Sequence, residues 1–135
     1  TVKVVAYDDN GKVAEEKEIR TAGQPYQIVL DADRKPITAD GEDISFVTVS
    51  VVDKNGVPCP TATNQLKFKV SGAGTYRAAC NGDATSLEMF HKDTMKLFSG
   101  KLVVLVKSKT TPGDIKLEVN GAGLKAGKLT LEAKK

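Results

Sequence analysis

Short segments in which apolar and polar residues alternate cover most of the chain. In "QLKFKV", Leu66, Phe68 and Val70 fall on one face, while Lys67 and Lys69 fall on the other. A repeat of two is the period of a β-strand with one buried and one solvated face. The same reasoning predicts that the following residues point inward: Val47, Val49 and Val51; Ile115, Leu117 and Val119; Leu129 and Leu131.

Turn-forming residues separate these segments at intervals of roughly ten residues, a spacing typical of immunoglobulin-like sandwiches. "KLVVLVKS" is a continuous apolar run and suits a central strand. The pattern therefore predicts an all-β fold: an immunoglobulin-like antiparallel β-sandwich of about seven strands, preceded by a β-hairpin.

The hairpin is predicted from "TVKVVAY" and "KVAEEKEI", which flank Asp8-Asp9-Asn10-Gly11. An Asn-Gly step favours a hairpin turn because both residues tolerate a positive φ. "TAGQP" follows, and its closely spaced glycine and proline are typical of a linker or domain junction. We therefore expect two units, residues 1–22 as a hairpin and residues 23–135 as the sandwich.

One stretch departs from the strand pattern. In "TSLEMFHKDTMKLF", Thr85 and Glu88 have the spacing of a capping box, and the apolar residues fall at helical intervals, which fits a short helix. The favoured alternative is a long loop that packs Leu87, Phe90, Met95 and Phe98 over one end of the sandwich. On that interpretation, changing Leu87 and Phe90 to serine lowers the melting temperature.

"CNGDATSLEMFH" also resembles a reactive cluster, because it brings Cys80, Asp83 and Glu88 close in sequence to His91, the only histidine. No motif orients a nucleophile toward the imidazole, and the spacing matches neither a zinc signature nor a calcium loop. Asn81-Gly82-Asp83 is read as a tight turn. The sequence therefore predicts no catalytic residue, no metal ligands and no cofactor.

Composition narrows the classes of partner further. The 20 basic and 17 acidic residues are interspersed, giving a net charge of +3, so no basic surface for nucleic acid is expected. No apolar run reaches the ~18 residues of a membrane span. Tryptophan, on which sugar rings commonly stack in binding modules, is absent. The two cysteines, Cys59 and Cys80, are expected as free thiols, with a single disulfide as the alternative.

Three long stretches carry a family resemblance: "VKVVAYDDNGKVAEEKEIRTAG", "ITADGEDISFVTVSVVDKNGVPCPTATNQLKFKVSGAG" and "NGDATSLEMFHKDTMKLFSGKLVVLV". In this order they resemble the C-terminal region of bacterial β-galactosidases of glycoside hydrolase family 2. Family members often have proline where this chain has Ala84. The resemblance implies that residues 1–21 close one immunoglobulin-like domain and that the next begins near residue 24.

The resemblance also implies a role. The parent enzyme would hydrolyse terminal β-galactosides or related β-glycosides through two glutamates in a barrel outside this chain, in the periplasm or outside the cell. This chain would be a non-catalytic accessory domain whose partners are the other domains of the enzyme. The alternatives are a carbohydrate- or surface-binding module and an adhesin-type spacer. The residues expected in domain contact or weak glycan contact are Asn81, Asp83, Leu87, Phe90 and His91.

Overall fold

The regular structure consists entirely of β-strands in the computed structural model, which describes residues 1–135. In chain order the strands are β1 (Val2–Tyr7), β2 (Val13–Ile19), β3 (Gln27–Ala32), β4 (Ile37–Thr38), β5 (Ile44–Val52), β6 (Gln65–Gly72), β7 (Gly74–Cys80), β8 (Thr94–Lys96), β9 (Lys101–Ser108), β10 (Gly113–Gly121) and β11 (Gly127–Lys134). No helix is present that could span a membrane.

Two sheets form the sandwich that the alternation predicts. One has the order β4-β11-β10-β6-β8 and the other the order β3-β5-β9-β7. Neighbouring strands are antiparallel except β4 and β11, which pair in parallel. The all-β sandwich is thus confirmed, with nine strands in place of about seven. The short strands β4 and β8, of two and three residues, are too brief to produce a recognisable alternation.

The core lies between the inner faces of the two sheets, where the predicted inward residues are found. Val47, Val49 and Val51 have no solvent exposure, and they face residues such as Leu117, which is 1% exposed. The lysines of β6 point to solvent, as predicted. The apolar run of "KLVVLVKS" forms β9, which lies between β5 and β7 and is therefore an interior strand of its sheet.

The β1–β2 hairpin forms a sheet of its own and joins neither sheet of the sandwich. Its side chains are mostly exposed, including Val4 at 65% and Ile19 at 72%. The turn differs from the prediction in detail: Gly11 has a φ of +74°, but Asn10 does not adopt a positive φ. The Asp8 carboxylate instead accepts the N–H groups of Asn10 at 2.9 Å and Lys12 at 2.8 Å, which closes a longer loop.

Candidate domain-contact surface

The segment that departs from the strand pattern is a loop between two sheet edges. We call residues 81–93 the β7–β8 loop; it leaves the edge strand of the four-stranded sheet and enters the edge strand of the five-stranded sheet. It contains no helix. The second half of the loop is hydrogen-bonded to both sheets. Ala79 N on β7 donates to the carbonyl of Phe90, and Phe68 N on β6 donates to the carbonyl of Asp93, each at 2.8 Å.

Polar side chains fix the first half of this loop from the inside. Asn81 donates from Nδ2 to the carbonyl of Lys96 at 3.0 Å, and its Oδ1 accepts the Asp83 N–H at 3.0 Å. The Glu88 carboxylate accepts the N–H of Lys96 at 3.2 and 3.3 Å. Both contacts tie the loop to β8. Gly82, with a φ of +77°, makes the tight turn that the sequence predicts.

Asp83 acts within the same turn. Its Oδ1 accepts the Thr85 hydroxyl at 2.7 Å and the Thr85 N–H at 2.9 Å. These donors, the hydroxyl first, lower the pKa of the Asp83 carboxyl because they stabilise its ionised form. The carboxylate is therefore committed to holding the loop.

Tyr76 on β7 holds the second half of the loop. The single proton of its hydroxyl is shared between two acceptors, the carbonyl oxygens of Phe90, at 3.1 Å, and of Lys92. The ring stacks on Phe68 with 5.8 Å between centroids. Burial raises the pKa of Tyr76 to about 12, so the hydroxyl keeps the proton that it donates. Sequence analysis did not identify this role, because core or edge packing is sufficient to explain a tyrosine in a strand.

The apolar side chains of the β7–β8 loop point outward, contrary to the prediction that they pack over the sandwich. Leu87 is 98% exposed, Met89 55% and Phe90 59%. The residues that enter the core are Met95 and Leu97, at 1% and 2%. Met95 points inward because it pairs with the buried Leu66 across β8 and β6. In the loop itself, the hydrogen-bonded side chains of Asn81 and Glu88 occupy the inner side, so the apolar side chains point outward.

Two of these exposed residues, Leu87 and Met89, line a hollow of about 390 Å³ together with Gln65, Glu88, Lys92 and Thr94. Phe98, also expected to pack over the end, is 45% exposed.

The predicted loss of stability in the Leu87 and Phe90 double serine variant therefore has no basis in the packing of the sandwich itself. We define Leu87, Met89 and Phe90 as the apolar loop surface.

The residues that resembled a reactive cluster in the sequence do not form one in the structure. Asp83 and Glu88 bind the backbone of the loop and of β8, while Cys80 and His91 are exposed. No three histidine, cysteine or acidic side chains come together as a metal-binding group. Cys59 and Cys80 are both free, so the single disulfide considered as an alternative is not formed.

Comparison with known proteins connects this fold to one family. The model of glycoside hydrolase family 2 C-terminal domain 5 matches residues 28–130. β-Galactosidase BoGH2A of Bacteroides ovatus is 44% identical over 98% of this chain, and a β-glucuronidase of Formosa agariphila is 30% identical over 93%. The crystal structure of a β-glycosidase from Bacteroides vulgatus superposes on 97% of the chain with a TM-score of 0.91 at 29% identity.

All of these relatives are much longer than this chain. It spans 16% of the B. ovatus protein, 13% of the F. agariphila protein and 17% of the B. vulgatus chain. The predicted resemblance is confirmed: the chain belongs to the glycoside hydrolase family 2 C-terminal domain 5 family.

Proposed function

We propose that this chain is a non-catalytic accessory domain of a family 2 β-galactosidase and that its work is to contact neighbouring domains of the enzyme. The apolar loop surface is the contact, and residues 1–22 complete the domain that precedes the sandwich. The family assignment favours this function over an adhesin-type spacer.

The orientation of the β7–β8 loop carries the proposal. Asn81, Glu88 and Tyr76 fix its backbone by hydrogen bonds, so the exposure of Leu87, Met89 and Phe90 does not result from a loose loop. A rigid segment that presents neighbouring apolar side chains loses little conformational entropy on binding. Such a surface is suited to a protein neighbour that removes it from water.

Hydrogen bonds hold several acidic side chains in structural roles within the domain. In this chain every carboxyl group whose pKa clearly departs from its ordinary value is shifted downward: Glu18, Asp40, Asp43, Asp53 and Asp83. These side chains accept hydrogen bonds from backbone or neighbouring groups and are held ionised.

The activity of the parent enzyme is tested with the full-length protein. A relative named as a β-galactosidase is 44% identical, against 30% for the β-glucuronidase, so we expect turnover of a chromogenic β-galactoside in preference to the matching β-glucuronide. Residues 1–135 alone should hydrolyse neither. Galactosidase activity in the isolated chain would contradict the accessory function.

The apolar loop surface is tested by a double variant, Leu87→Ser with Phe90→Ser. In the full-length enzyme we expect easier unfolding of this domain, because a contact with its neighbour is lost; in residues 1–135 alone we expect little change. A matched double variant, Lys69→Ser with Lys116→Ser on the solvated face of β6 and β10, should alter neither. Domain-resolved hydrogen exchange measures both, and unchanged exchange in the full-length double variant would remove the proposed contact.

Weak glycan binding is a second candidate, favoured by one observation: Phe90 is an aromatic side chain, 59% exposed, next to exposed His91. An exposed ring can support the apolar face of a pyranose. Calorimetric titration of the full-length enzyme with galactosides and other glycans distinguishes the candidates. Binding that disappears on Phe90→Ala, while the domain remains docked, would favour the binding module.

A further inference from the structure

The turn pattern Asp-x-Asn-Gly occurs twice in the chain. Asp8-Asp9-Asn10-Gly11-Lys12 joins β1 to β2, and Asp53-Lys54-Asn55-Gly56-Val57 follows β5. In the second turn the Asp53 Oδ1 accepts the N–H groups of Asn55 at 2.8 Å and Val57 at 2.9 Å, the same bonds that Asp8 makes. Both turns have their glycine in the left-handed region, with φ of +74° and +79°.

The two aspartates differ in surroundings. Asp8 is exposed, whereas Asp53 is 4% exposed. The second carboxylate oxygen of Asp53 accepts the N–H of Gly23 at 2.8 Å, in the linker that follows the hairpin. The Gly23 donor, followed by Val57, lowers the pKa of Asp53. The turn after β5 thus has an additional function: it holds the linker.

Other contacts fix the linker at the same place. Cys59 Sγ lies 3.7 Å from the Gly23 carbonyl oxygen, and Tyr26 N donates to the carbonyl of Val52 at 2.9 Å. A Cβ atom at Gly23 would lie 3.3 Å from Asp53 Oδ2, closer than ordinary contact. Residues 22–26, which we call the joint, are therefore an ordered connection between the hairpin and the sandwich, in agreement with the linker or domain junction predicted from "TAGQP".

A cleft of about 700 Å³ opens beside this joint. One wall is the end of the hairpin, Glu18–Arg20, and the other is formed by Val57, Pro58 and Pro60. Proline has no backbone N–H, so a partner can cover this second wall without leaving a buried donor unpaired. The wall is thus suited to burial.

We infer that the cleft is filled by the rest of the domain to which the hairpin belongs, and that Asp53 fixes the linker between that domain and the sandwich. The inference rests on the proposed domain boundary. The hairpin lies outside residues 28–130 matched by the family model, and a two-stranded sheet with exposed apolar side chains needs further strands to be stable. Whatever supplies those strands also lies next to the cleft, because the hairpin forms its wall. The lengths of the relatives show that the family has ample polypeptide for such a domain.

Thiol labelling of the full-length enzyme tests whether the cleft is occupied. Thr61 is exposed in this chain and lines the cleft, whereas Lys116 is exposed on β10 and does not line it. We expect a cysteine introduced as Thr61→Cys to react with a maleimide at least about tenfold more slowly than one introduced as Lys116→Cys, because labelling would require local opening. Peptide-resolved mass spectrometry measures both rates. Equal rates would overturn the inference.

A second experiment tests the role of Asp53 in the joint. The Asp53→Asn variant is expected to increase trypsin cleavage after Arg20 and labelling at Thr61→Cys, each by about tenfold, because the joint opens more often. Asp40→Asn is the matched control: Asp40 also accepts two backbone N–H groups in a turn, from Glu42 and Asp43, but it does not contact the linker. It should change neither rate.

Gly23→Ala provides an independent route to the same result, since it crowds Asp53 Oδ2 without removing a buried group. Unchanged cleavage in both Asp53→Asn and Gly23→Ala would overturn the role of Asp53. The two proposals can fail separately. Unchanged hydrogen exchange in the Leu87→Ser, Phe90→Ser variant, together with slow labelling at Thr61→Cys, would exclude the loop contact and support the occupied cleft. Altered hydrogen exchange in that variant, together with fast labelling at Thr61→Cys, would support the loop contact and exclude the occupied cleft.

Discussion

Single aspartates decide much of the loop geometry of this chain. Asp43 accepts the Thr38 N–H at 2.8 Å and pairs with Arg34 at 2.6 Å, and its neighbour Asp40 closes the turn before β5. The sequence predicts that turn-forming residues separate the strands, and such a turn precedes β5. Which of the acids also reach across to a distant segment could not be predicted, because that depends on the packing of strands far apart in sequence.

Asp43 should make stability depend on pH in the acid range. The Thr38 N–H, then Arg34, lower the pKa of Asp43 from 3.8 to about 2. The unfolded chain therefore binds this proton more readily, so the stabilisation is complete above about pH 4 and is lost as pH falls through 2. Urea unfolding across this interval should show a shallower pH dependence in Asp43→Asn than in the parent or in Glu42→Gln. Identical slopes would contradict the assignment.

Tyr76 should control the mobility of the β7–β8 loop. Tyr76→Phe removes the donor to Phe90 and Lys92 while keeping the stacked ring, and we expect a loss of about 1 kcal/mol in the free energy of unfolding. Hydrogen exchange of residues 81–93 should accelerate. Tyr7→Phe, in the exposed hairpin, is the control and should have no such effect.

The same tyrosine predicts an alkaline response. Burial raises the pKa of Tyr76 from 10.0 to about 12, so the folded state favours the neutral hydroxyl. Its contribution is complete below pH 10 and declines as pH rises toward 12. Ultraviolet titration of the native protein should show a late tyrosinate step that is missing in Tyr76→Phe.

At the scale of elements, hydrophobic period predicted the long strands well and the short ones poorly. Alternation over five or more residues fixed both the existence of β5, β6 and β10 and the face that each buries. β4 and β8 exist because neighbouring strands offer them hydrogen bonds, a tertiary cause that leaves no local pattern. The prediction that the apolar side chains of the β7–β8 loop pack inward was wrong for a related reason. The sequence shows which residues of the loop are apolar, but it does not show that Asn81 and Glu88 occupy the inner side.

Strand β10 is central to the five-stranded sheet, between β11 and β6. Leu117 in its middle is 1% exposed. Leu117→Ala should therefore lower the free energy of unfolding by about 2 to 5 kcal/mol, because it leaves a cavity that the paired strands cannot close. Lys116→Ala, one position away on the solvated face, should change it by less than about 0.5 kcal/mol. Chemical denaturation gives both values, and similar losses would mean that the sheet does not depend on this core position.

At the scale of the whole molecule, the hairpin and the sandwich are connected through the joint and lie on either side of its cleft. They share no sheet, and residues 22–26 of the linker are held by the sandwich and not by the hairpin. We therefore expect residues 21–135 to fold alone and to unfold at the same denaturant concentration as residues 1–135. Removal of residues 1–25 should be less well tolerated, because it takes away the Gly23 N–H and leaves the buried carboxylate of Asp53 with one donor fewer. A shorter chain 21–135 that is clearly less stable than 1–135 would show that the hairpin is part of the sandwich and would move the domain boundary toward the N-terminus. Equal midpoints for 1–135 and 21–135, with a lower midpoint for 26–135, would locate the boundary between Arg20 and Tyr26.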